Sequence, residues 1–172
     1  MSAPVPPSPG YRVLFVCTGN TCRSPMAVQV LRRALAEEGL AAEVDSAGLR
    51  VEAEYAPADP RAQDVLREHG YATEHQTSRF VPDMLASHDL VIALDSMHQW
   101  VLRQAADQSG AAKIRLLGSF DPAAGAGWDV PDPVTGGRDD YERVLTLLRA
   151  AMPGVVDAVR AALAGGGRAG PG

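Results

Sequence analysis

The chain has 172 residues, 46% of them hydrophobic and 22% charged, a balance that suits one globular domain with a sizeable core. Aromatic residues make up 5%, so Ala, Val and Leu must fill most of that core. A formal net charge of −5 argues against nucleic acid or an anionic membrane as a partner, and no apolar run is long enough to span a bilayer.

In chain order, MSAPVPPSPG (1–10) has neither the basic nor the apolar region of a secretory signal and is expected to be a disordered, Pro-rich leader. RVLFV (12–16) reads as a strand, nearly continuous in apolar residues, as parallel strands covered on both faces are. CTGNTCRSP (17–25) follows, and then Ala27, Val30, Leu31, Ala34 and Leu35 recur at helical spacing up to a terminating Gly39. A second strand is expected in AEVDSA (42–47) and a second helix in DPRAQDVLREHG, closed by Gly70. DLVIAL (89–94) reads as a third strand, DSMHQWVLRQAAD as a third helix and KIRLL (113–117) as a fourth strand. From Asp139 the helical period runs through Tyr141, Val144, Leu145 and Leu148, then resumes at Met152, Val155, Val156 and Val159. Pro153 predicts a kink or a restart between the two halves. Residues 165–172 are expected to form a disordered tail. Strands alternating with helices predict an α/β three-layer sandwich over 11–164, a four-stranded parallel sheet with helices on both faces. In such sheets ligands sit at the carboxyl ends of strands, where CTGNTCRSP falls.

Within that stretch, Ser24 followed by Pro25 predicts a helix start, with Ser24 as the cap. The loop before it would curl over a helix N-terminus, its backbone N–H groups converging on an anion. Gly19 lets the backbone turn tightly, and Arg23 offers a planar fork that holds two phosphate oxygens. Such a positive nest favours the thiolate of Cys17, a nucleophile aimed at whatever the nest holds. Thr18, Gly19, Asn20, Thr21, Cys22 and Arg23 form the predicted phosphate-binding set. The plain alternative is a strand–helix turn with an inert buried cysteine. A nucleotide-binding loop is disfavoured, because no Lys follows a glycine at the required position. Cys17 and Cys22 suit a reducing, cytoplasmic setting, and no nearby His or further Cys completes a zinc site, so neither a metal nor a cofactor is expected.

VLFVCTGNTCRSPMA resembles the active-site segment of the low-molecular-weight protein tyrosine phosphatases. VDSAG (44–48), ADPRA (58–62), HGY (69–71), DLVIALD (89–95) and VPDPVTGGRDDYERV (130–144) are similar to further segments of that family. The resemblance runs from about Tyr11 to the last helix. It implies Cys17 as nucleophile, Arg23 as phosphate clamp and Asp132, ahead of Pro133, as general acid. It also implies that Asn20, Ser24, Ser46 and His75 hold the loop, and that the substrate is a phosphorylated protein. Read without it, Asp132 is an ordinary turn acid with Asp129 as a competing carboxylate, and Ser46 and His75 are surface polar residues.

The chain also departs from the family pattern. Tyrosine-specific members usually carry two aromatic residues after the Asp-Pro pair and another in the loop after the second strand. Here Val134 and Thr135 follow Pro133, and Glu52 stands in that loop with Tyr55 nearby; these four are the predicted substrate walls. Thr21 resembles the protein arginine phosphatases of the same fold, whose loop also reads CTGNTCRS. The expected activity is a cysteine-dependent phosphoprotein phosphatase acting on phosphotyrosine, with a protein arginine phosphatase as the alternative. A thiol-dependent arsenate reductase would need more resolving cysteines than Cys22. A phosphate-binding module without turnover is at odds with intact Cys17, Arg23 and Asp132.

Overall fold

In the computed structural model, which describes residues 10–166, the chain order is β1 (Arg12–Cys17), α1 (Arg23–Glu37), β2 (Glu43–Gly48), α2 (Pro60–Glu68) and α3 (Asp83–Ser87). It continues with β3 (Leu90–Ala93), α4 (Ser96–Ala105), α5 (Gln108–Ala111), β4 (Ile114–Leu116), a 3₁₀ turn (Leu117–Phe120) and α6 (Arg138–Ala164). The expected leader lies outside the described residues except for Gly10, and the expected tail except for Gly165 and Gly166.

All strand pairs are parallel, in the order β2-β1-β3-β4, so β1 is paired on both sides. Its side chains alternate between the two faces of the sheet. Val13, Phe15 and Cys17 join a large core with Met26, Leu31, Leu66, Tyr141 and Leu148, from α1, α2 and α6. Leu14 and Val16 join a smaller one with Leu85, Val91 and Leu102, on the side of α3 and α4. Both faces are therefore covered, the three-layer arrangement, and this is why RVLFV shows no polar alternation. Each fully buried side chain of this size contributes about 1.5–3 kcal/mol of transfer free energy.

Local signals placed most boundaries. Asp59 and Asp95 cap α2 and α4 by accepting from the Arg61 and His98 amides. Gly39 and Gly70 end their helices in the left-handed conformation, at φ 65° and 78°. Not every expectation holds. Helix α1 starts at Arg23, and its cap residue Cys22 makes no side-chain cap bond, so Ser24 is not the cap. The Ser24 hydroxyl serves the loop instead. Helix α6 runs unbroken through Pro153, without a restart. Pro153 and Arg149, whose carbonyl loses its helical donor, are both exposed to water, which makes the loss cheap. Finally, α3, α5 and the 3₁₀ turn went unread, because four or five residues are too few to show a period.

Candidate active site

The segment after β1 folds back over the start of α1 at the carboxyl edge of the sheet. Its shape depends on Asn20, which is fully buried with φ 59°, a conformation that costs an ordinary residue energy and that Asn tolerates best. Every polar atom of the Asn20 side chain is used. Nδ2 donates to Ser24 Oγ (2.8 Å) and Ser46 Oγ (2.9 Å), and Oδ1 accepts from the Ser78 amide (2.8 Å). The Asn20 carbonyl accepts from His75 Nε2 at 2.7 Å, which puts the ring hydrogen on Nε2. Burial holds the His75 ring below its ordinary pKa, with the Asn20 carbonyl opposing and Arg32 adding to the fall. Asn20, Ser24, Ser46 and His75 are thus brought together as one strut. The Asn20 side chain faces that strut and not the cleft.

Behind the loop, Cys17 Sγ lies 2.9 Å from Ser24 Oγ, and the thiol is almost wholly buried at the floor of a cleft of about 510 Å³. Thr18, Gly19, Thr21, Cys22 and Arg23 line the same cleft from the loop. Arg50, Glu52, Ala53 and Ala56 line it from the segment after β2, and Asp132 and Val134 from the segment before α6. The Arg50 amide donates to the Thr18 carbonyl (2.8 Å), fixing the two segments to each other.

Arg23 is 4% exposed. Its Nη1 donates to Asp95 Oδ2 and to the Val130 carbonyl, both at 3.0 Å. Nη2 donates to Thr18 Oγ1 (3.4 Å) and lies 3.6 Å from Asp132 Oδ2. Nε makes no bond among the described residues. With Nη1 occupied, the edge formed by Nε and Nη2 is what the guanidinium presents to the cleft. Asp132 Oδ1 accepts from the Val134 amide (3.1 Å), Pro133 beside it is buried, and the carboxylate itself remains half exposed. Asp129, the competitor, is tied to α4 through the Ser96 amide (2.9 Å) and hydroxyl (2.6 Å), and it does not line the cleft.

Two predicted wall residues are not in the wall. Tyr55 is 77% exposed at φ 61°, its amide bonded to the Thr77 carbonyl (2.8 Å), and that clamp turns its ring outward. Thr135 is also exposed and does not line the cleft. Glu52 and Val134 do, and no aromatic side chain among the described residues lines it. Cys22 packs under the loop, 3.4 Å from the buried Tyr141 hydroxyl and 3.6 Å from Thr21 Oγ1. Burial pushes its thiol above the ordinary value, as it does the Tyr141 phenol. Asp95, Arg50 and His98 were missed by sequence reasoning. The one signal for Asp95 was its place as a helix cap at the end of a buried strand. A second groove, of about 460 Å³ between α1 and α6, contains none of the predicted site residues. No cluster of three or more candidate metal ligands occurs among the described residues, and no helix among them is long and apolar enough to cross a membrane.

Residues 12–164 match the sequence model of the low molecular weight phosphotyrosine protein phosphatases. The chain belongs to that family. A Streptomyces coelicolor relative, "Low molecular weight protein-tyrosine-phosphatase", is 49% identical over 154 residues, which cover 87% of this chain and 94% of the relative. The crystal structure of a protein tyrosine phosphatase from Entamoeba histolytica superposes with a TM-score of 0.84 at 27% identity, covering 90% of this chain and 99% of that one. The Bacillus subtilis "Protein-arginine-phosphatase" is 34% identical over 131 residues, covering 76% of this chain and 85% of the relative. As a family, these phosphatases are hydrolases, and the catalytic cysteine of the family motif falls on Cys17.

Proposed function

We propose that the protein hydrolyses phosphotyrosine in phosphorylated proteins, with Cys17 as nucleophile, Arg23 as phosphate clamp and Asp132 as general acid. The observation that carries this reading is the opening of thiol, guanidinium and carboxylate onto one cleft, with the Ser24 hydroxyl 2.9 Å behind the sulfur. The Cys17 thiolate attacks phosphorus as the bond to the phenolic oxygen breaks, while Asp132 gives that oxygen a proton. The loop amides and the free edge of Arg23 hold the non-bridging oxygens through the transition state. A water then attacks the cysteinyl phosphate, Asp132 takes its proton, and phosphate leaves with the thiolate restored. The Ser24 hydroxyl stabilises that thiolate as both attacking and leaving group. No step calls for a metal or cofactor. A single catalytic domain over 11–164 and a cytoplasmic setting for two free thiols complete this reading.

The test is turnover of p-nitrophenyl phosphate: Cys17→Ser should be inactive and Arg23→Lys severely impaired. Full activity in Cys17→Ser refutes the reading. One observation favours a second substrate. Thr21 puts a hydroxyl in the wall and no aromatic ring among the described residues lines the cleft, which suits a guanidinium phosphate better than a phenol. Phosphotyrosine and phosphoarginine peptides assayed side by side decide between the two.

A further inference from the structure

Thr18 Oγ1, in the cleft wall, lies 2.8 Å from His98 Nε2 and 3.4 Å from Arg23 Nη2. His98 sits in the first turn of α4 with no exposed surface. Its other ring nitrogen, Nδ1, is 3.1 Å from Asp95 Oδ1, and Asp95 Oδ2 holds Arg23 Nη1. Arg23, Asp95, His98 and Thr18 therefore close a ring of four side chains. Only Arg23 and Thr18 in it reach the cleft.

The fixed donors of Arg23 and the Asp95 carboxylate favour one arrangement of hydrogens around this ring. Arg23 Nη2 can only donate, so Thr18 Oγ1 accepts from it. A bare lone pair on Nδ1, 3.1 Å from a carboxylate oxygen, would be repelled, so the neutral ring carries its hydrogen on Nδ1. Nε2 is then an acceptor, and the Thr18 hydroxyl donates to it. Thr18 thus uses its hydrogen on one side and a lone pair on the other, which fixes its rotamer. The charged groups acting on the imidazole are Asp95, Arg23, Asp132 and Asp129; burial, with Arg23 adding to it, outweighs the three carboxylates, so the ring stays neutral near pH 7. Its Nδ1 makes no contact of hydrogen-bond geometry, although Asp95 Oδ1, which also accepts from the His98 amide, lies 3.1 Å away. A buried polar atom left this way is costly, and an apolar side chain would fill the place without that cost. The arrangement makes sense where orientation matters more than stability.

We propose that His98 is a positioning residue for the phosphate clamp: through the Thr18 hydroxyl it sets where the free edge of Arg23 meets the phosphoryl group. This inference rests on the reading of Arg23 as that clamp. Nη2 has two neighbours, Thr18 Oγ1 at 3.4 Å and Asp132 Oδ2 at 3.6 Å. A Thr18 oxygen held in place by His98 keeps Nη2 from swinging fully onto Asp132. Without it, clamp and general acid pair with each other, and both are lost to the substrate.

The experiment compares Thr18→Val, Thr18→Ser, His98→Asn, His98→Gln and the double variant Thr18→Val/His98→Asn, each normalised to folded protein by circular dichroism. The Gln side chain carries an oxygen to the place of Nε2, whereas Asn reaches only the place of Nδ1. Thr18→Val and His98→Asn should each lower kcat/KM for p-nitrophenyl phosphate and weaken orthovanadate inhibition about tenfold, one hydrogen bond's worth. Both should move the alkaline limb of the kcat profile to lower pH, because a closer Arg23 keeps Asp132 ionised; a packing defect alone would not. The double variant should be no worse than the poorer single, and Thr18→Ser and His98→Gln should recover most of the loss. In the wild type, the ¹⁵N shift of His98 Nε2 should be that of an unprotonated ring nitrogen, a measurement that needs no variant. A protonated Nε2, wild-type kinetics in Thr18→Val, or a double variant whose loss is the product of the singles each overturns the inference. Arg23→Lys separates the two levels. Wild-type turnover in Arg23→Lys refutes the clamp and this inference with it, whereas an impaired Arg23→Lys beside an unaffected Thr18→Val refutes this inference alone.

Discussion

Replacing Asp95 with Asn removes one negative charge from behind Arg23, the proposed phosphate clamp, while keeping the shape of the side chain. In the wild type, Oδ1 caps α4 through the His98 amide (2.8 Å) and Oδ2 accepts from Arg23 Nη1 (3.0 Å). An amide cannot do both. If its oxygen keeps the cap, its NH₂ group faces the guanidinium; if it turns, the cap is lost and an N–H points at an N–H. A charge-assisted hydrogen bond contributes about 1.5–3 kcal/mol. Arg23 keeps the Val130 carbonyl and is open to the cleft on its other edge, so about 2 kcal/mol is the expected loss. Expressed wholly in the transition state, that is about a 30-fold fall in kcat. The ground state should feel less of it, because a guanidinium relieved of one carboxylate attracts a bound anion more strongly. The assay is steady-state turnover of p-nitrophenyl phosphate together with inhibition by inorganic phosphate. The expected result is a fall of about 30-fold in kcat with phosphate inhibition changed by less than about threefold. A kcat within about twofold of wild type would show that Asp95 does not hold the clamp.

Asp132→Asn should slow phenyl phosphate hydrolysis by about 10²–10³-fold and activated aryl phosphates much less, since a good leaving group needs little proton transfer; equal losses for all leaving groups, or a larger loss in Asp129→Asn, would reassign the acid. Thr21→Ile should spare phosphotyrosine peptides and selectively damage any phosphoarginine turnover, so equal effects on the two would remove Thr21 from substrate choice. Burial lowers the His98 pKa to about 4 from an ordinary 6.5, so the unfolded chain takes up this proton before the folded one does, and the stabilisation is full above about pH 6.5 and lost as pH falls toward 4. Urea unfolding at pH 8 and pH 5 should therefore show a smaller acid loss in His98→Gln than in wild type, and identical losses would contradict the assignment of that titration.

The residues that a motif carries within one loop were legible; those delivered by a crossover were not. Cys17, Ser24 and Asn20 lie within eight positions of one another, so the turn chemistry that places one constrains the rest. Asp95 and His98 reach Arg23 and Thr18 across 72 and 80 residues, by way of β3 lying beside β1. Nothing local in DSMHQ distinguishes a histidine turned toward a loop from one turned to water. Ser24 shows the opposite failure. Its type and its proline neighbour fit a helix cap, yet the hydroxyl is drawn to the sulfur and to Asn20, a competition that only the folded loop reveals. Tyr55 failed for a backbone reason: the Thr77 clamp holds it at positive φ, so proximity in sequence to Glu52 did not bring its ring to the same wall.

The nucleophile ends the strand that has partners on both sides, whereas Asp132 is carried by an exposed segment anchored at Val130 and Pro133. These two halves of the chemistry therefore belong to parts of the molecule that come apart at different free energies. Amides of β1 should exchange with solvent only when the whole domain opens, and those around Asp132 through small local openings. On the roles proposed above, mild heat or denaturant should then strip proton donation by Asp132 before it disturbs the anion cradle. Over that interval the protein should still grip a phosphoryl group that it can no longer release quickly, and so act as a trap for its own substrate.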